Sequence, residues 1–334
     1  MEGRMKKRSI EISIMRLVSS VLLLFFVFAS ANVSAAPVTL PQTVTPGFFS
    51  TSWDIQQATT STGSPFTGSS VAGGAGFSID DADGPDGSSD AYDNAYMIFV
   101  NGAVFDPGST VDLTGTTMTA GPVTMSGLNA TVQFYFDTLA AVARIMVFLN
   151  NPTGATINAT VDIPINFGSD SGTIVQMTSS GDTTVTTADR WVVSSDSGPN
   201  DPVNTTVLYG PDASVTPSAY TQTVFDDAAT NGLGATFNVS VPANQTRSLM
   251  LFAGLGDITG NGNTIAGAIS AAALFDNVST LPAGALSGLS AQQQSEIVNW
   301  SAAAAVPGAG AGSAFPPFPA ICGVPGASFP CIPE

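Results

Sequence analysis

Apolar and polar side chains alternate with period two over long stretches of this 334-residue chain. In LNATVQFYFD the residues Leu128, Ala130, Val132, Phe134 and Phe136 alternate with Asn129, Thr131 and Gln133, the pattern of a strand with one buried face and one open one. In TINATVDIPINFG, the residues Ile157, Ala159, Val161, Ile163, Ile165 and Phe167 are opposed by Asn158, Thr160, Asp162 and Asn166. Pro164 lies on the polar phase and removes a ladder donor, which predicts an edge strand or a bulge there. Between these runs, AVARIMVFLN is apolar on both phases apart from Arg144 and ends in the turn residues Asn150 to Gly154, as a central strand would. Further strand-like runs, GTIVQMTSS, TTADRWVVSSD, NTTVLYG, ATFNVSVP and RSLMLFAGL, are separated by Gly-, Pro- and Asp-rich breakers. The expected fold is mainly β, an antiparallel β-sandwich or an enlarged double-sheet supersandwich.

The pattern changes after Gly262. NTIAGAISAAALFDN, residues 263–277, is alanine-rich without internal proline, and LSAQQQSEIVNW carries the capping-box pair Ser290 and Gln293. Two short helices near 263–277 and 290–300 should therefore cap the sheet. Residues 306–334 form a Pro/Gly-rich tail that cannot build a core and should run extended. Its two cysteines, Cys322 and Cys331, are the only ones in the chain. In an exported protein such a close pair is most simply a disulfide. Residues 36–75 form a Thr/Ser/Gly-rich segment with one aromatic patch, FFSTSWDI, and residues 76–305 carry the sandwich domain.

The N-terminus adds a destination. A basic stretch (Arg4, Lys6, Lys7, Arg8, Arg16) precedes the apolar run Val21 to Ala29 and the small residues Val33-Ser34-Ala35. This is the layout of a cleavable signal peptide over residues 1–35, and it predicts a secreted protein, extracellular or periplasmic. The apolar run is short of the roughly 20 residues a spanning helix needs. Removing 1–35 takes five of the eight basic residues and two of the 25 acidic ones, leaving three against 23. So acidic a chain repels phosphate backbones and anionic lipid, which sets aside nucleic acid and membrane insertion as partners.

Charge also narrows the chemistry. The chain has no histidine, and no lysine after residue 35, so imidazole acid/base steps, His-ligated metals and Schiff-base mechanisms are excluded. Carboxylate chemistry remains, and a pair of aspartates could serve glycoside hydrolysis. Asp196-Ser197-Gly198 has the form of a tripeptide that aspartic proteases need twice, and Asp170-Ser171-Gly172 repeats it.

The densest acidic stretch, FSIDDADGPDGSSDAYDNAY, holds Asp80, Asp81, Asp83, Asp86, Asp90 and Asp93. Several carboxylates on a Gly-rich turn suit calcium, although Pro85 takes a ligand position and no glutamate closes an EF-hand loop. The competing reading is a solvated acidic turn. Residues 256–263 form a second oxygen-rich turn. Trp53, Trp191, Tyr92, Tyr96, Tyr209 and Tyr220 are the aromatics that could stack on sugars, with Trp191 better explained as core. Sequons stand at Asn129, Asn158, Asn204, Asn238, Asn244, Asn277 and Asn299.

Residues 149–196, with TRSLMLFAGLGD and LSGLSAQQQSEIVNW, resemble a β-rich module that recurs in large secreted or surface-displayed bacterial proteins of unassigned function. The resemblance implies double-sheet architecture like the sandwiches of carbohydrate-handling proteins, and it brings no catalytic residues. The leading functional expectation is an exported, non-enzymatic protein of the cell surface that acts in display, adhesion or carbohydrate binding, stabilised by calcium, with carbohydrate or a surface protein as partner. The alternatives are a carbohydrate-active enzyme using Asp pairs and a structural component of an envelope or filament.

Overall fold

The computed structural model describes residues 35–58, 65–66, 74–196, 200–223 and 231–301. The signal peptide expected over residues 1–35, apart from Ala35, the tail expected over 306–334 and both cysteines lie outside the described residues.

Two antiparallel sheets face each other. The first runs in the order β1 (Ala36–Thr39), β8 (Thr110–Thr114), β9 (Thr117–Met125), β10 (Leu128–Phe136), β11 (Val142–Asn150), β18 (Thr246–Leu255), β15 (Asn204–Val207), β14 (Trp191–Ser195) and β13 (Ile174–Thr178). The second runs β16 (Pro217–Thr223), β17 (Gly232–Val241), β12 (Ile157–Phe167), β5 (Tyr92–Ala95), β4 (Gly76–Asp83), β3 (Ser52–Ala58) and β2 (Gln42–Val44). A small hairpin, β6 (Phe99–Val100) with β7 (Ala103–Val104), joins it at β12. The expected sandwich is the fold, in its enlarged double-sheet form. Residues 36–58 are built into it, with β1 on the first sheet and β2 and β3 on the second.

Period two decides the core. The apolar phases of β10 and β12 face each other across the sandwich with Ile145 and Val147 of β11 and Leu249 and Leu251 of β18. Aromatic rings fill the wide middle: Phe77 stacks on Phe134 with centroids 4.6 Å apart, and Trp53 lies 5.5 Å from Phe136. β11, apolar on both phases, is the fifth strand of nine and is covered on both faces.

Of the edge strand or bulge expected at Pro164, the edge strand is not what forms. β12 is an interior strand, with β17 on one side and β5 and β6 on the other. The proline falls between the pairings Asp162 with Phe99 and Ile165 with Ala95, where the neighbouring strand changes from β6 to β5. A residue without an N–H is tolerated where the ladder is already interrupted.

A second apolar layer covers the outer face of the first sheet. Met146, Met250 and Phe252 point outward there, and Phe252 packs against Phe275 at 5.1 Å and Trp300 at 5.5 Å. The covering chain includes α1 (Ile265–Ala272), N-capped by Thr264, whose hydroxyl accepts from Gly267 N at 3.0 Å. It continues through α2 (Ala291–Glu296), which carries the expected Ser290/Gln293 capping box. Gly210 is glycine for the sake of this layer, because a Cβ there would lie 2.1 Å from the Trp300 ring. Among the described residues no helix is long and apolar enough to cross a membrane.

Candidate functional site

The fold disperses the six aspartates. Asp80, Asp81 and Asp83 lie on β4, Asp93 lies on β5, and Asp86 and Asp90 occupy the connection. Most accept hydrogen bonds from their surroundings. Asp80 accepts from Gln56 Nε2 at 2.6 Å, Asp83 from Ser52 Oγ at 2.6 Å, and Asp86 from Ser88 N and Oγ at 3.1 and 2.6 Å. Asp81 Oδ1 accepts from the backbone N–H of Ala82 and Tyr92. Burial, with Asp90 and Asp83 adding repulsion, still pushes the Asp81 carboxyl up to about 6. Asp90 also faces aspartates distant in sequence: burial, then repulsion from Asp196, Asp90 and Asp170, raises Asp201 to about 6. Among the described residues, no group of three or more His, Cys, Asp or Glu side chains is placed to hold a metal ion.

A different place gathers polar side chains toward one space. An open groove of about 450 Å³ lies over the outer face of the first sheet, within the size range of small-molecule sites. Its floor is the polar phase of β10, Asn129, Thr131 and Gln133, flanked by Thr119 and Pro122 of β9, Phe148 and Asn150 of β11, and Thr246 of β18. Its wall is α2, through Gln292, Gln293 and Glu296. In β9, two residues, Gly121 and Pro122, stand opposite the single residue Thr131, between the pairings of Ala120 with Val132 and of Val123 with Ala130. This bulge turns Pro122 into the groove, and Gly121 supplies the positive φ of 99° that it requires.

The floor groups brace one another. Gln133 Nε2 donates to Thr119 Oγ1 at 3.3 Å, and Asn150 Nδ2 donates to Thr246 Oγ1 at 3.2 Å. On α2, Gln292 Nε2 donates to Glu296 Oε1 at 2.9 Å, and Gln293 Oε1 accepts from Ser290 N and Oγ. Gln133 Oε1 accepts from Arg144 Nη2 at 3.4 Å. Arg144 is only 1% exposed. Its Nη1 donates to the carbonyls of Ala285 and Ser287 at 2.8 and 2.9 Å, and its guanidinium lies 4.8 Å from the Tyr135 ring centroid. It thereby ties the 285–287 turn, which leads into α2, to the sheet. Burial brings Arg144 down to about 10, with Tyr135 and Asp137 opposing the drop. Asp137 is buried beside Gly284, where a Cβ would lie 2.7 Å from both carboxylate oxygens.

The aromatics proposed for sugar stacking belong elsewhere. Trp53, Tyr92 and Tyr96 are in the inter-sheet core, Trp191 is in the outer layer donating Nε1 to Asp276 at 3.0 Å, and the hydroxyls of Tyr209 and Tyr220 donate to the carbonyls of Thr187 and Asp189. Phe148 is the aromatic that the groove uses. Two sequons are closed as well, since Asn204 and Asn299 are 1% and 0% exposed. The sequence did contain a sign of the groove: the polar phase of β10 is made of amides and a hydroxyl without a charge, unlike an ordinary solvated face.

No protein-family model matches the chain, and no curated protein matches it in sequence. Among solved structures it is similar to the heparan sulfate lyase HepC from Pedobacter heparinus, at 7% identity and a TM-score of 0.39, covering 70% of this chain and 37% of the lyase. It is also similar to a galactose mutarotase-like protein from Lactobacillus casei ATCC 334, at 9% identity and a TM-score of 0.35, covering 53% of this chain and 93% of that one. This chain thus spans little more than a third of the lyase, and likenesses at these scores carry no argument about its activity.

Proposed function

We propose that this is an exported, non-enzymatic β-sandwich protein that binds carbohydrate in the groove between β10 and α2 and acts in surface display or adhesion. Its kinship with the β-rich modules of secreted and surface-displayed bacterial proteins is part of the same proposal. The observation that carries it is the lining: amides and hydroxyls from five elements converge around Phe148 on an open space. Sugars are recognised by such arrays, because each hydroxyl both donates and accepts and the apolar ring face packs on an aromatic. The enzymatic alternative needs two carboxylates flanking the bond to be cleaved. The lining supplies one, Glu296, and no aspartate, with Asp112 one strand outside it.

Binding of the full-length protein to a panel of oligosaccharides, read by calorimetry together with product analysis for hydrolysis, tests this reading. Asn129→Ala and Asn150→Ala should each weaken binding about five- to ten-fold, the worth of a neutral hydrogen bond, while the melting temperature stays near wild type. Hydrolysis of a bound oligosaccharide that Glu296→Gln abolishes would replace binding with catalysis.

A further inference from the structure

The cations of this chain bear on which saccharide the groove could take. After residue 35 the sequence holds three, Arg144, Arg190 and Arg247, and none of them lines the groove. Arg190 is committed to Asp276 at 2.5 Å. Arg247 follows Thr246 on β18, so strand alternation sends its side chain to the face opposite the groove. Arg144 comes nearest. It stands on the same face, beside the floor and buried under the 285–287 turn, with its donors on the carbonyls of Ala285 and Ser287 and on Gln133 Oε1, and with the buried Asp137 beside it.

The charges that do face this space are negative. Glu296 is on the wall. Asp112 of β8 is directly opposite Thr119 in register, so it shares the face on which Thr119 and Gln133 stand. Both belong to a chain with a formal net charge of −17. A carboxylate or sulfate on a sugar can only accept hydrogen bonds. At Glu296 it would meet another acceptor of the same sign, with no guanidinium or ammonium to replace its lost hydration. A hydroxyl has no such conflict: it can donate to Glu296 and accept from an amide N–H of Gln133 or Gln293, whose Oε1 atoms are already engaged.

Resting on the reading of the groove as a saccharide site, we infer that it selects uncharged sugars and rejects uronates and sulfated sugars. The same geometry makes Glu296 the specificity-determining residue.

The test compares the full-length protein with neutral gluco-, galacto-, manno- and xylo-oligosaccharides against oligogalacturonates and heparin fragments of equal length. At low salt the best neutral ligand should bind at least ten-fold more tightly than the best acidic one. The gap should shrink as ionic strength rises and the repulsion is screened, and Glu296→Gln should narrow it in low salt. Acidic ligands that bind as well as or better than neutral ones, with Asn129→Ala still weakening them, would overturn the selectivity while leaving the groove a sugar site. No saccharide binding, or binding indifferent to Asn129→Ala, would overturn the selectivity and the underlying reading together.

Discussion

The side chain of Asn299 pairs with both backbone polar groups of Met250: Oδ1 accepts from Met250 N at 2.8 Å, and Nδ2 donates to Met250 O at 2.8 Å. Nδ2 also donates to Leu208 O at 2.9 Å. β15 pairs with β18 from Leu255 back to Phe252 only, so β18 has no strand neighbour on that side beyond Phe252. The amide of Asn299 acts as a surrogate strand residue there, and Ile297, which bridges to Ser248, extends the pairing. This clasp anchors the chain that leaves α2, and with it the wall of the groove.

Asn299→Ala should therefore destabilise the protein by about 3 kcal/mol, because it strands the buried Met250 N–H and Leu208 carbonyl together, while Met250 O keeps its bond from Trp300 Nε1. A fall in the urea midpoint at unchanged slope would measure this. Asn299→Asp should be worse than alanine at pH 7, since a carboxylate would face the carbonyls of Met250 and Leu208. A small effect from either variant would show that the clasp is dispensable.

Arg144→Met should cost about 3 kcal/mol or more, by unpairing the carbonyls of Ala285 and Ser287 and leaving Asp137 buried beside no cation. Arg144→Lys should not restore it, because a single ammonium cannot reproduce the fork that reaches two carbonyls and Gln133. In a double-mutant cycle with Asp137→Asn, the combined loss should be less than additive. Additive losses would remove the coupling between the two charges.

Stability should rise as pH falls from about 7 toward 4. Asp81 and Asp201 are both raised to about 6 in the folded protein from an ordinary value near 3.8. Between those values the folded state binds protons that the unfolded state does not, so acidification favours folding. A two-unit displacement bounds the gain at about 3 kcal/mol for a fully buried group, and partial exposure reduces it to about 1 kcal/mol for each. The melting temperature should be a few degrees higher at pH 5 than at pH 7.5. Asp81→Asn should raise it at pH 7.5 and flatten its pH dependence, since an amide oxygen can still accept from Ala82 and Tyr92. A melting temperature that falls steadily below pH 7 would contradict this.

The strands and the short helices were legible because their signals are local. The alternation in LNATVQFYFD and the Ser290/Gln293 pair each lie within a dozen residues, and each appears in the structure where it was read. The edge strand expected at Pro164 did not form because the tolerance of a proline depends on which strand lies beside it, and β12 lies about 60 residues beyond β5 and β6. The aspartates failed to assemble for a related reason. Closeness in sequence along a strand and turn does not make a ligand set converge: Asp90 meets Asp81 of its own stretch, but also Asp170 and Asp201, which are distant in sequence.

What the sequence determined by itself was the class of fold and the limits on chemistry. Period-two alternation commits a segment to a two-faced strand whatever lies around it, and the absence of histidine removes imidazole chemistry in any fold. Only the tertiary structure decided where function can sit. The groove exists because α2, some 160 residues after β10, is held against the sheet by Arg144 and Asn299. The free energy of those contacts comes from burying and pairing groups that have no relation to one another until the chain has folded.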